Sequence, residues 1–180
     1  MLCAVGTSPP EPPCRGVDAE ATAALVAASA SVAAAAATGA ISGELISRFV
    51  LISALGVGDT LDCLPHASHD VLAPWLERKR LAEESLLSSG LSWTILRPGP
   101  LTDAPPSGAA LATLDAATGR AFSPLSRADL AAAAYAAAVA PAAERRVLAL
   151  LDGDALVIAA PFLRALEAWE APPFDEFAFV

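Results

Sequence analysis

The sequence predicts an α/β domain: a parallel sheet of about four strands flanked by helices. Three observations predict it. Short apolar runs alternate with longer helix-forming segments along most of the chain. The strand-like runs, Phe49 to Ile52 above all, are apolar on both faces, as a strand covered by helices on either side must be. Each run soon breaks into Gly, Pro or Ser, where a strand turns into a loop.

The elements follow in order. Leu2 to Val5 is a short apolar strand that ends at Gly6, with Thr7-Ser8-Pro9-Pro10 behind it. Residues 11–16 are Pro-rich and irregular. A helix starts at Val17-Asp18, with Asp18 as N-cap and Glu20 in the favourable first turn, and fades around Thr38-Gly39. Phe49 to Ile52 is the second strand, broken by Gly56-Val57-Gly58-Asp59. A loop runs on to Asp70, and a helix follows from about Val71 to Ser88. That helix carries Leu72, Trp75, Leu76, Leu86 and Leu87 on its apolar side and is closed by Gly90. Trp93 to Leu96 is the third strand, ended by Pro98. Leu101 to Phe122 reads as loop with small elements. Ser126 caps a helix that begins Arg127-Ala128-Asp129-Leu130 and stops at Pro141. Arg146 to Leu151 is the fourth strand, and Pro161 to Glu170 a short helix. Residues 1–151 form the main domain; 152–180 are a short helix and irregular tail.

Composition narrows the function. A chain of 180 residues, 55% apolar and 17% charged, can bury one sizeable core and is too apolar for general disorder. Its net charge of −9 argues against a nucleic-acid surface, which needs a basic stripe. Cys3, Cys14 and Cys63 are odd in number, far apart and without CxxC spacing. They suit neither a disulfide framework nor a zinc site, and fit thiols in a reducing compartment. Cys3 lies in an apolar run, the other two in loop-like surroundings. The start lacks the basic region of a signal peptide. Ala21 to Ile41 is uncharged and long enough to span a bilayer, but its Ala, Ser and Thr gain little from lipid. A soluble helix is expected there, with a membrane span as the lesser alternative.

Four phrases carry a family resemblance: CAVGTSPP, RFVLISALGVGD, APWLERKRLAEESLLSSGLSWTILRPGPLTD and SRADLAAA. In this order the chain resembles the atypical short-chain dehydrogenases/reductases, the NmrA-like NAD(P)-binding Rossmann-fold proteins. The resemblance covers residues 2 to about 140, with an alanine-rich insertion around Ser31 to Ser47. It implies a partial doubly wound Rossmann-like sheet that begins at the family's fourth strand. It also implies an NAD(P) cofactor, of which form unknown, whose binding by this chain alone is in question.

Two departures qualify it. No stretch fits the family's GxxGxxG turn, whose backbone amides and helix N-terminus receive the pyrophosphate. About 60–80 residues of such a domain, two to three βα units, have no counterpart here, so an incomplete gene product is one expectation. Reducing members generally pair a proton-donating Tyr with a Lys four residues on. Trp75 stands in the tyrosine position, and an indole N–H delivers no proton at neutral pH. The only tyrosine, Tyr135, lies in another helix.

The resemblance implies catalytic roles for Lys79 and Ser53, and cofactor contacts at Gly6, Thr7, Ser53, Lys79, Pro98, Gly99 and Leu101. Each has a plainer reading. Lys79, the chain's single lysine, sits in Glu77-Arg78-Lys79-Arg80 and either faces solvent or reaches a cofactor ribose. Trp75 lies four residues before it on the same helical face. Ser53 is either a turn residue or a site residue at a strand end, where open α/β sheets place ligands. Pro98-Gly99 lets backbone approach a ligand, and in the family lies near the nicotinamide. Arg97 either joins that site or pairs structurally with an acid such as Asp103. Gly6 and Thr7 would flank the adenosine side. The turn Gly56 to Asp59 either lines the pocket or only turns. His66 and His69 are three apart in a loop and read as solvated rather than metal-binding.

Two functional readings stand. One is an NAD(P)-binding oxidoreductase that passes hydride to a small substrate held over the loop Gly99 to Gly108. The other is a non-catalytic relative, a dinucleotide sensor or protein-docking scaffold, which Trp75 favours. The expected partners are a dinucleotide and an unknown small molecule or protein, in the cytoplasm or an organelle interior.

Overall fold

The computed structural model describes residues 1–4, 17, 19–42, 47–113 and 124–152. Strands β1 (Leu2–Cys3), β2 (Phe49–Ile52), β3 (Trp93–Pro98) and β7 (Arg146–Asp152) lie side by side and parallel. A fifth strand, β5 (Ala110–Thr113), closes one edge antiparallel to β7, giving the order β1-β2-β3-β7-β5. A separate pair, β4 (Leu101–Thr102) and β6 (Leu125–Ser126), runs parallel near that edge. Helices α1 (Glu20–Ala37), α2 (His69–Leu87) and α3 (Arg127–Val139) cover the sheet.

Strand alternation sorts the core into two faces. Val50, Leu96, Leu148 and Leu150 point one way and pack against Leu130, Ala133, Ala134 and Ala137 of α3. Cys3, Phe49, Leu51 and Ile95 point the other way, onto Val26 of α1 and Ala82 and Leu86 of α2. This is the parallel sheet with helices on both faces that the alternating pattern predicts.

Several boundaries differ from expectation. β3 runs two residues beyond Leu96, because Arg97 and Pro98 stay in register with Ala149 and Leu150. α2 starts at His69, and the preceding loop holds two 3-10 turns, Gly58–Cys63 and His66–Ser68. Leu87 is 47% exposed and leaves the apolar side of α2 to Leu86. Ser31 to Ala37, expected within an insertion, simply extends α1. β5 was hidden because ALAT is a weak strand signal, and only pairing with β7 fixes it.

α1 is apolar and long enough to cross a membrane by length and composition. Its buried residues Thr22, Val26 and Ser29 nevertheless form one stripe against the sheet face. At the far side Ser126 caps α3 as expected, accepting from the Asp129 amide at 2.9 Å. The C-terminal end of α3 meets Arg48, which is 8% exposed and donates to the carbonyls of Ala137 and Ala140 at 2.6 and 2.5 Å. A cation there satisfies carbonyls left open by the last turn and suits the helix dipole. Gly6, Thr7, Asp18, Cys14 and everything from residue 153 on, including the expected helix at Pro161, lie outside the described residues.

Candidate functional site

Sheet parity builds the site. Ser53 follows Leu51 by two residues and Arg97 follows Ile95 by two, so both side chains emerge on the α2 face. The Ser53 amide donates to the Leu96 carbonyl at 2.7 Å, which sets the two residues side by side at the carboxyl ends of β2 and β3. Glu83 of α2 closes over them. Arg97 grips the Glu83 carboxylate bidentately, Nε to Oε1 at 3.0 Å and Nη2 to Oε2 at 2.7 Å. Ser53 Oγ donates to the same Oε1 at 2.5 Å. Ser53, Glu83 and Arg97 are 5%, 3% and 7% exposed, so this is a buried ionic network.

The third arm of Arg97 reaches outward. Its Nη1 meets Asp59 Oδ1 at 2.5 Å, although the Asp59 side chain is 78% exposed. Burial works against the guanidinium charge, but Glu83 and then Asp59 outweigh it and hold Arg97 ionised beyond the ordinary arginine range. Gly58 lies at φ +60, where a Cβ would stand 3.3 Å from Arg97 Nη2. The backbone must pass this close for Asp59 to reach its partner. Arg97 thus pairs with Glu83 and Asp59, while Asp103 pairs with Arg127 at 2.7 Å on the surface. Of the two readings of Arg97, pairing with an acid is the one seen, but with Glu83 and Asp59 rather than Asp103, because strand parity turns Arg97 inward to α2.

α2 returns from the carboxyl end of β2 to the amino end of β3, so its first turns project past the strand ends. Lys79 and Trp75 precede Glu83 by one and two turns on the same stripe, about 6 and 12 Å along the axis at 1.5 Å per residue. Both are half-buried. The Trp75 Nε1 is sealed from solvent and has no hydrogen-bond partner among the described residues. Tyr135 is 52% exposed on α3, the opposite side of the sheet, and has no access to this stripe.

The remaining expected residues divide. Pro98 and Gly99 are buried at the end of β3 beside Ser53: the Pro98 carbonyl accepts from Leu55 N at 2.8 Å, and Gly99 N donates to the Leu150 carbonyl at 3.2 Å. Leu101 instead packs into the core on the α3 side. Gly56 and Gly58 do line an open groove of about 460 Å³, together with Leu61, His69, Leu76 and Arg80. That groove lies on the flank of α2 turned away from the stripe of Trp75 and Lys79. His69 is held there by the Leu64 carbonyl at 3.2 Å. Cys63, read as a loop residue, is buried like Cys3; burial and then the charges of Asp59 and Asp62 push its thiol up.

A second buried acid fixes the loop after β3. Asp129 accepts from Ser107 N at 2.9 Å, Gly108 N at 3.1 Å and Ser126 Oγ at 2.7 Å. Burial would raise this carboxyl, but the donors from Ser126, Ser107 and Gly108 hold it below the usual carboxylate range. Glu83 was not expected at all, yet its spacing after Trp75 and Lys79 was a readable signal. Asp59 offered none, since its role depends on a glycine turn.

A family model for NAD(P)H-binding proteins matches residues 11–141. The chain belongs to this NAD(P)H-binding family. It is 33% identical over 115 residues to YhfK of Bacillus subtilis (strain 168), described as an uncharacterized sugar epimerase, covering 64% of this chain and 49% of that one. Its structure resembles that of ChuY, an anaerobillin reductase of Escherichia coli O157:H7, with TM-score 0.61 and 28% identity over 88% of this chain and 65% of ChuY. ChuY of the E. coli CFT073 strain gives TM-score 0.55 and 31% identity over 71% of this chain and 65% of that one. The chain therefore spans about half the length of YhfK and less than two thirds of ChuY. The fold is Rossmann-like, and the family is one of reductase- and epimerase-like NAD(P)-binding proteins.

The residues present fit the nicotinamide half of a dinucleotide. A half-buried lysine and a sealed indole N–H without an acceptor among the described residues share the stripe beyond the strand ends. No glycine-rich pyrophosphate cradle occurs among the described residues.

Proposed function

We propose that the chain acts in NAD(P)H-dependent reduction of a small conjugated or carbonyl substrate held under the loop Gly99 to Gly108. The observation that carries this reading is the α2 stripe. Glu83 locks its lower end to Ser53 and Arg97, which orients Lys79 and Trp75 over the strand carboxyl ends where open α/β sheets bind ligands. When bound, the nicotinamide supplies hydride. Lys79 would hold its ribose, and Gly99 would let the ring approach the backbone closely. Gly6 and Thr7 keep their proposed place on the adenosine side.

Ser53 is a positioning residue in this scheme, because its proton is directed to Glu83 and only its oxygen lone pairs remain. Trp75 stands where the resembled family has a proton-exchanging phenol, and Ser53 already donates its proton to Glu83. Trp75 does not titrate, and Glu83 is clamped by Arg97. Epimerisation needs a group that removes and returns a proton, whereas reduction can take its proton from water. The site therefore favours a reductase over an epimerase. Buried thiols outside any disulfide, at Cys3 and Cys63, suit a soluble, reducing compartment.

Titration with NADPH and NADH, followed by tryptophan fluorescence, tests the reading. Saturable quenching is expected, weakened at least severalfold in Lys79→Ala. No saturable change at millimolar cofactor would sink it.

A further inference from the structure

We propose that the Trp75 indole N–H is a hydrogen-bond donor to the nicotinamide half of the dinucleotide, satisfied only in the bound state. The inference rests on the function proposed above and adds a residue to it. Most buried N–H groups in folded proteins are paired, because an unmet donor forfeits its bond to water; among the described residues the Nε of Arg48, whose Nη1 already serves two carbonyls, and Trp75 Nε1 are not. Trp75 Nε1 is sealed from solvent, yet has no acceptor among the described residues. A solely structural indole at this place would be served equally well by phenylalanine.

Position gives the orphan donor a use. Trp75 lies one turn before Lys79 on the stripe that Glu83 anchors to the ends of β2 and β3. A lysine that reaches a ribose and a donor one turn away together address adjacent oxygens, such as a ribose hydroxyl and the carboxamide carbonyl. In the conformation described, the donor is closed to water, so binding requires a turn of the indole ring. The ring is only half-buried, which leaves room for that motion. Unlike a phenol, the indole keeps its hydrogen across the whole working pH range, so it orients without acting as an acid.

The test is the indole ¹H–¹⁵N spectrum of the full chain, which shows three tryptophans: Trp75, Trp93 and Trp169. Trp93 opens β3 at the opposite end of the strand and serves as an internal control. NADPH should shift the Trp75 resonance downfield and leave Trp93 unmoved. The fragment 2′,5′-ADP, which lacks the nicotinamide half, should move neither. Trp75→Phe should weaken NADPH about tenfold and leave 2′,5′-ADP affinity unchanged. If NADPH binds saturably while the Trp75 resonance stays fixed, the inference fails and the dinucleotide reading survives. If NADPH does not bind at all, both fail. Equal loss of NADPH and 2′,5′-ADP binding in Trp75→Phe would also overturn the inference, since it would mark a general structural role. The wild-type spectrum decides the matter even if that variant does not fold.

Discussion

Glu83 and Asp129 are both buried carboxylates at the carboxyl end of the sheet, 3% and 1% exposed, and they are satisfied by opposite means. Glu83 pairs with Arg97, a cation that is itself 7% exposed. Among the described residues Asp129 meets only neutral donors, from Ser126, Ser107 and Gly108. The difference decides what each holds. An ion pair between two buried groups ties a helix to a strand, because neither partner can be left alone in the core. A carboxylate ringed by neutral donors ties a loop to a helix start, and those donors can turn to water if it goes. The first is found on the α2 face, beneath the stripe of Trp75 and Lys79. The second is found on the α3 side, where it fixes the loop after β3 through Ser107 and Gly108.

Breaking the ionic lock should have the larger effect. Glu83→Ala leaves the Arg97 charge in the core with Asp59, an exposed partner, as its main compensation. A loss of about 3–5 kcal/mol is expected in denaturant-induced unfolding. Replacing both Glu83 and Arg97 by methionine should restore much of that, since it removes the stranded charge. A double variant as unstable as Glu83→Ala would mean that the Ser53 bond and helix packing, rather than the ion pair, set the cost.

The Asp129 cluster should give less, about 2 kcal/mol for Asp129→Ala, because Ser107 and Gly108 are exposed enough to rebind water. It also carries a pH signature. Its folded carboxyl is held below the ordinary value, so its contribution is fully present above the unfolded pKa and is lost as pH falls through the folded one. Asp129→Asn should therefore be less stable than the parent at pH 7, with the gap narrowing below roughly pH 4. A gap constant from pH 7 to pH 2 would show that the donors do not favour the ionised form.

The same contrast explains what the sequence made legible. β2, β3, β7 and the helices were readable because apolar periodicity and capping residues such as Ser126 are local signals. So was the family, through phrases that span strand, helix and strand. β5 was not, because ALAT becomes a strand only when β7 supplies its partner. The lock was half-readable. Glu83 continues the spacing of Trp75 and Lys79, but its union with Arg97 comes from two strand ends meeting one helix. Asp59 was beyond reach, since a glycine at positive φ brings it to Arg97.

The smallest effect should come from the surface pair that takes up Asp103 in place of Arg97. Arg127 and Asp103 meet at 2.7 Å, a distance equal to that of Arg97 Nη2 and Glu83, but their side chains are 56% and 90% exposed. In water the attraction is screened, and ordering two mobile side chains offsets much of it. Arg127→Ala should cost about 0–1 kcal/mol, with any loss shrinking in high salt. Because Asp129 rather than Asp103 anchors the loop, NADPH affinity should stay unchanged in this variant. A loss of cofactor binding there would shift the loop's anchor from the buried cluster to the surface pair.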